Sequence, residues 1–438
     1  MDIFSSEILS NISLLCFACF MGISISIVIV LRPVIGALML AALFPFAIIA
    51  LNDIGYIYFM SAFRLVSLIT FVMFVCIFSV RHKSIDFSRL KWFLLLLICG
   101  ALLASLRSNE FITSENIQGI QFVKYGMYVC LFLSIYNLID ETDYMLRFAY
   151  LFVFSLSIIS VLSLIQYFSG ISLVYAPDPF YEGLSPSMRL FIGKNINPNN
   201  AANLYLIALP FTINGFLKRD ETRYKIIMLL LTALLTCALI LMQSRSAILG
   251  LIIAQLFITL TGDKKRVMIF VSYFVLVVVF YYLASSLFEY LIPDRFSLEE
   301  FSSESNQRRL TQYWATLKLL LEHPFGVGLE YFRLIGKYGG FNFTAHNLFL
   351  ESFVNTGFIG FIGYVSIILI PIVGLWKTRL PGNDSKLSYL RSSLLAGLLA
   401  YVIHNMFHYS LWEYPLWMFI GVSIAFVNRM KNEVLQEE

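Results

Sequence analysis

Four cationic or imidazole side chains in this 438-residue sequence have the chemistry to handle an anion. Arg245 lies in Gln243-Ser244-Arg245-Ser246, a polar interruption between two apolar runs. Arg308 and Arg309 sit within a polar stretch from about Phe288 to Ala345, four or five residues ahead of Tyr313. That stretch closes on His346-Asn347, where the sequence turns apolar again. A planar guanidinium presents a fork of donors that matches phosphate oxygens with paired, charge-assisted hydrogen bonds. A neutral imidazole, with an unperturbed pKa of about 6.5, can take a proton from a hydroxyl. A cationic segment ending in an imidazole at the start of an apolar run therefore suits a lipid-borne anion.

Each feature also has a structural reading. An arginine near membrane depth is expensive and points to function, yet Arg245 can equally be a helix-end residue snorkelling to the interface. Arg308 and Arg309 taken alone could be the solvated face of an amphipathic helix. The spacing of Leu317, Leu320 and Leu321 predicts that helix on the membrane surface, ended by Pro324 and the glycines after it. A single histidine beside an apolar run is more often structural than catalytic. Gly357, Gly360 and Gly363 fit close packing of helices. Lys194, Asn199 and their amide-rich surroundings suit sugar hydroxyls, and suit a turn equally well. His404 and His408 flank an aromatic-rich outer turn and could line the same outer cavity, though an interfacial aromatic belt explains that region as well.

Composition determines what must position these residues. The chain is 59% hydrophobic and 13% charged, with a mean hydropathy of +0.79, against about a quarter charged in soluble domains. Apolar runs of about 20 residues recur, the length that crosses a hydrocarbon core. We expect an all-α integral membrane protein of about 12–13 transmembrane helices. The spans are expected at about 12–31, 33–51, 57–80, 91–106, 119–138, 148–168, 199–217, 225–242, 246–261, 267–287, 348–375, 388–405 and 413–428. The whole chain, 1–438, reads as a single polytopic membrane domain. No Lys or Arg precedes the first apolar run, which predicts a retained span rather than a cleaved signal peptide. All six cysteines fall in apolar runs and no CxxC pair lies in a polar loop, so neither disulfides nor a metal site is expected.

Lys and Arg mark cytoplasmic loops. Clusters at Arg81/Lys83/Arg89/Lys91, Lys218/Arg219/Arg223/Lys225, Lys264/Lys265/Arg266, Lys377/Arg379/Lys386/Arg391 and Arg429/Lys431 place one side in the cytoplasm. Two long polar segments then face outward: a smaller loop over 169–197, and the large one over 288–345 that carries the candidate catalytic elements. The basic residues left on that outer side go against the general bias, which a bound anion would explain.

The ordered set of Asn197-Pro198-Asn199 before a span, Ser244-Arg245-Ser246, Arg309 ahead of Tyr313, His323-Pro324-Phe325-Gly326-Val327-Gly328, and His346-Asn347 followed by two glycines resembles the bacterial O-antigen ligase and polymerase superfamily. The resemblance covers about residues 190–375 in motif and the whole chain in layout. It implies a GT-C-like fold in the bacterial inner membrane with a periplasmic active site. It further implies an undecaprenyl-diphosphate-linked glycan as donor and a sugar hydroxyl as acceptor, with no cofactor, no metal and no nucleic-acid partner. Carried over, Arg245 and Arg309, with Arg308 as alternative or second, would bind the diphosphate. His346 would be the general base of an inverting transfer, and Asn347, Lys194, Asn199 and Tyr313 possible glycan or acceptor contacts. The acceptor would be lipid A–core in a ligase, or a lipid-linked repeat in a polymerase; the His-Asn-x9-Gly-x-x-Gly pattern resembles the ligase. A long soluble C-terminal extension, expected of protein-glycosylating relatives, does not follow the final apolar run. A transporter of the same lipid-linked glycan is the rival of a different class, but transporters often carry repeated halves and broken helices, and the sequence shows neither.

Overall fold

The computed structural model describes residues 26–47, 53–80, 90–107, 116–169, 198–218, 221–260, 304–329, 345–381, 384–408 and 414–437. The expected span at 267–287, the expected span at 12–31 up to residue 25, and Lys194 with most of the 169–197 loop lie outside them. So do the parts of the 288–345 loop other than 304–329 and Ala345.

Every regular element among the described residues is an α-helix. After a helical stretch at 26–31 come α1 (Pro33–Ala47), α2 (Asp53–Val80), α3 (Lys91–Arg107), α4 (Asn116–Leu138), α5 (Thr142–Ser169) and α6 (Pro198–Lys218). They are followed by α7 (Thr222–Leu241), α8 (Arg245–Leu260), α9 (Glu304–Glu322), α10 (Leu348–Lys377), α11 (Ser385–Asn405) and α12 (Tyr414–Glu437). By length and apolarity α5, α7, α10 and α11 can each cross a membrane, and shorter apolar helices accompany them. This is an all-α membrane protein.

Local signals explain where the helices start. Pro33 and Pro198 open α1 and α6 at the one position where a missing N–H costs nothing. Asp384 caps α11 by accepting the Lys386 N–H at 2.7 Å, and Asn347 caps α10 by accepting from Phe349 and Leu350. The faces follow the lipid. On α3, Leu94, Leu97, Ala101 and Ala104 are buried while Leu95, Ile98, Leu102 and Leu106 are exposed. That arrangement costs nothing where the solvent is hydrocarbon.

With lipid outside, tight packing replaces the hydrophobic drive between helices, and small residues permit it. A Cβ on Gly100 would meet Gly360 N at 2.2 Å, and one on Gly363 would meet Phe93 O at 2.5 Å and Leu97 N at 2.6 Å. Rising numbers on α10 thus meet falling numbers on α3, so the two run antiparallel. A Cβ on Gly250 would meet Ala400 O at 2.8 Å, and Gly397 lies against Ile207, which seats α11 between α6 and α8. Two buried amides, Asn214 and Gln255, join α6 to α8, with Gln255 Nε2 donating to Asn214 Oδ1 at 3.1 Å.

These directions give the bundle two unlike ends. The starts of α6, α8 and α10 and the finish of α11 share one end with His346. The other holds Lys91, Arg223, Lys225, Lys377, Arg379, Arg391 and Lys431, at the start of α3 and α7 and around the finish of α10 and α12.

Candidate active site

α10 is two helices joined at a break, so the expectation of no broken helix fails here, because an unbroken apolar run gives no sign of one glycine's backbone conformation. Gly357 has φ 66 and ψ −176, which interrupts the helix after Thr356. Into that break docks the Pro324–Gly328 loop that ends α9. Phe358 N donates to Pro324 O at 2.9 Å, and Val327 N donates to Val354 O at 2.8 Å. A Cβ on Gly357 would lie 2.3 Å from the Phe325 carbonyl carbon, and one on Gly326 would lie 2.5 Å from Gly357 N. Gly360 and Gly363 face α3, as helix packing predicts; Gly357 does a different job, seating the loop. A small core of Leu319, Leu320, Val327, Ala345 and Val354 completes the joint.

The joint orients α9. Leu319 and Leu320 are buried, whereas Leu317 is 41% and Leu321 86% exposed, so the three leucines predicted to share one apolar face are split between two. Leu310, Trp314, Leu317 and Leu321 form an outward apolar stripe at helical spacing, with Trp314 72% exposed. Arg309 and Tyr313 are half-buried instead. Arg308 precedes Arg309 in the same helix, and its side chain is outside the described residues.

Arg309 interacts electrostatically with Arg245, with His346 and with His404. Residues more than 60 positions apart therefore share one field. Burial, and then the second cation at Arg245, oppose the charge on Arg309, while Tyr313 supports it. Burial raises the Tyr313 hydroxyl and Arg309 lowers it. Tyr313 Oη makes a long contact, 3.5 Å, to the His346 carbonyl oxygen. Arg245 is the first residue of α8, a poor place for a cation beside the positive end of a helix dipole. Two guanidiniums and a helix start converging on one spot form a positive site with an affinity for anions.

His346 is pushed down to about 4, first by burial and second by the Arg309 charge. It is neutral at physiological pH and carries a lone pair. Its φ of 44 is left-handed; Gln243, with φ 53, is the other non-glycine with positive φ among the described residues. Such backbone costs of order 1–3 kcal/mol and persists where the surroundings enforce it. Both residues adjoin the site, Gln243 two positions before Arg245. Around His346 the enforcement is visible: the buried Glu351 carboxylate accepts the Ala345 N–H at 2.8 Å, and Asn347 Nδ2 donates to Met406 O at 2.8 Å.

Asn347 thus caps α10 and ties it to the end of α11. Asn199 contributes its backbone carbonyl, which accepts from His404 Nε2 at 3.0 Å. A carbonyl can only accept, so a neutral His404 carries its proton on Nε2 and takes the Ser246 hydroxyl proton at Nδ1, 2.9 Å away. His408 Nε2 lies 2.6 Å from Asn200 Oδ1. The three imidazoles follow one another, with ring centroids 6.4 Å apart from His346 to His408 and 5.4 Å from His408 to His404. His404 and Glu351 are the residues that the motifs pass over. For Glu351 the available signal is an acid inside an apolar span. For His404 the sequence offers only its place beside the outer turn, because its partners are 158 and 205 positions away.

Residues 230–365 match the family model described as O-antigen ligase, Wzy_C. This segment is similar to the O-antigen ligases. The assignment supports the O-antigen ligase and polymerase superfamily, and the family implies glycosyltransferase-type activity. The matched residues run from within α7 to within α10, so the matched segment includes Arg245, Arg309, Tyr313, the α9 docking loop, His346 and the Gly357 break. α6 with Asn199 and Asn200, α11 with His404, and His408 just beyond α11 lie outside the match. No curated protein matches the chain.

Proposed function

We propose that the protein transfers a glycan from undecaprenyl diphosphate to a sugar hydroxyl at the periplasmic face of the bacterial inner membrane, as an O-antigen ligase acting on lipid A–core. The observation that supports this reading is the convergence of Arg245, Arg309 and a neutral His346 at the bundle end opposite the basic one. Positive-inside orientation turns the basic end to the cytoplasm and the site outward. Arg245 and Arg309 grip the diphosphate. His346 accepts the acceptor's hydroxyl proton as that oxygen attacks the anomeric carbon from the face opposite the diphosphate. The C–O bond to phosphate breaks, both electrons leave with the diphosphate, and the configuration inverts. The leaving group is already stable as an anion, so positioning and charge stabilisation supply the catalysis, and no metal takes part.

Transfer from an undecaprenyl-diphosphate glycan by purified protein tests the chemistry. Arg245→Ala, Arg309→Ala and His346→Ala should each lower it about 10²–10³-fold, the scale for losing one transition-state contact. Wild-type rates in all three would sink the mechanism. Transport of the lipid-linked glycan across vesicles without transfer would assign the transporter function instead. Loss of the gene separates the acceptors. Long chains stranded on undecaprenyl diphosphate above a bare core mean ligase; cores capped by a single repeat mean polymerase.

A further inference from the structure

A cavity lined by described residues is at the other end of the molecule. It occupies about 1490 Å³ between the start of α3, the finish of α10 and the second half of α12. Lys91, Lys377, Arg379 and Lys431 line it, and no Asp or Glu does. From these cations its wall runs down α10 past Val373 and Leu369 to Ser366, with Ile424 and Val427 facing from α12. Eleven residues of helix separate Lys377 from Ser366, about 16 Å. That is the depth of one leaflet in a hydrocarbon core of about 30 Å. The cavity is therefore a cationic mouth above an apolar groove one leaflet deep.

Positive-inside bias would place basic residues at this end in any case, but it does not explain how these four are used. Neighbouring cations are committed to the protein. Arg429 pairs with Glu433 at 2.8 Å and donates to Asp140 O, and Arg391 donates to Thr378 O at 2.9 Å. For the four at the mouth the described residues supply no hydrogen bond or ion pair; Lys91 has only its cation–π contact to the adjacent Trp92, at 5.6 Å. Lys91 moreover opens α3, where a cation opposes the helix dipole and an anion would relieve it. Trp92 is exposed beside it, as a headgroup-level anchor would be.

We propose that this groove is a binding site for an anionic glycerophospholipid of the cytoplasmic leaflet. Its phosphate sits among Lys91, Lys377, Arg379 and Lys431, and its acyl chains lie along Leu369, Val373, Ile424 and Val427. The site stands apart from the transfer chemistry and does not depend on it. It would join α3, α10 and α12, and α10 is the helix whose far end carries His346.

Native mass spectrometry of the full chain in detergent, with phosphatidylglycerol or phosphatidylcholine added, tests the site. The wild type should retain phosphatidylglycerol at least tenfold better than phosphatidylcholine. The quadruple variant Lys91→Gln, Lys377→Gln, Arg379→Gln, Lys431→Gln should lose that preference. An equal neutralisation away from the cavity, of Arg147, Arg223, Lys225 and Lys386 to Gln, should keep it. Val373→Trp, which changes no charge, should also lose retention by filling the groove, and covers the case in which the quadruple variant does not fold. No preference in the wild type, equal loss in the control, or full retention in Val373→Trp overturns the proposal. A two-chain mass abolished by the same cavity substitutions would assign the groove to a second copy and also overturn it.

Discussion

Replacing Gly357 by Ala should disable the site without touching any residue in it. At φ 66 and ψ −176 the backbone is in a region open essentially to glycine, and another residue there costs of order 1–3 kcal/mol. The new Cβ would lie 2.3 Å from the Phe325 carbonyl carbon and 2.4 Å from its oxygen. Those are backbone atoms and cannot rotate aside, so relief requires displacement, which for overpacking adds about 1–3 kcal/mol. Against a total of about 2–6 kcal/mol stand two backbone hydrogen bonds, Phe358 N to Pro324 O and Val327 N to Val354 O, worth about 1 kcal/mol each. The loop yields before the membrane helix does, and α9 moves with it, carrying Arg309. A shift of about 1 Å in a positioning element can cost about 10²-fold in rate. Gly126→Ala is the control, because a Cβ there meets nothing within 4 Å. Both variants would be compared for glycan transfer at equal amounts of membrane-inserted protein. Gly357→Ala should fall at least tenfold below Gly126→Ala. Activity within twofold of the control would refute the idea that this joint sets the site.

The remaining predictions address protons, bracing and the outer face of α9. Because His346 is depressed to about 4, its basic form persists down to that pH and is lost below it. kcat/KM, which reports the free enzyme, should stay flat between about pH 8 and 5 and fall as pH drops through about 4. Arg309→Gln should move that limb up, but only part of the way to the usual histidine value, since burial is the larger cause. An acid limb near 6.5 in the unmodified protein would contradict the account. His404→Phe removes the partners of the Asn199 carbonyl and the Ser246 hydroxyl, at about 1–3 kcal/mol for each polar group left unsatisfied. Donor KM should rise and transfer fall more than tenfold, with partial recovery in His404→Gln, whose amide can donate and accept across a similar span; normal kinetics in the Phe variant would exclude the brace. Finally, a polarity-sensitive dye on Leu321→Cys, with the six native cysteines replaced, should report a lipid environment in nanodiscs, as the exposed stripe of α9 requires. Emission typical of water would place α9 away from the bilayer.

Much of the scaffold was legible because the information is local. Apolar runs at about 91–106, 199–217, 246–261, 348–375 and 388–405 correspond to helices Lys91–Arg107, Pro198–Lys218, Arg245–Leu260, Leu348–Lys377 and Ser385–Asn405. Hydropathy over about 20 residues, a proline at a first helical position, and Asn or Asp at a cap are all read within one element. Arg245, Arg309 and His346 could be singled out by chemistry and order, and the structure brings them into one electrostatic neighbourhood. What one element cannot hold was not legible. The spacing of Leu317, Leu320 and Leu321 is the same whichever way α9 turns, and only the core against Val327 and Val354 decides that Leu320 points in and Leu321 out.

The sequence by itself determined that the chain is helical and membrane-embedded, because a hydrocarbon solvent obliges each span to satisfy its own backbone hydrogen bonds. It also set which cationic and imidazole side chains interrupt or border the apolar runs. Tertiary structure alone decided that Arg245 and Arg309 share a field with His346, that Gly357 receives the loop carrying α9, and that His404 links the starts of α6 and α8. The reason is the distance along the chain. Contacts between residues tens to hundreds of positions apart depend on which helices become neighbours, and that follows from how the small residues of α3, α8, α10 and α11 fit together.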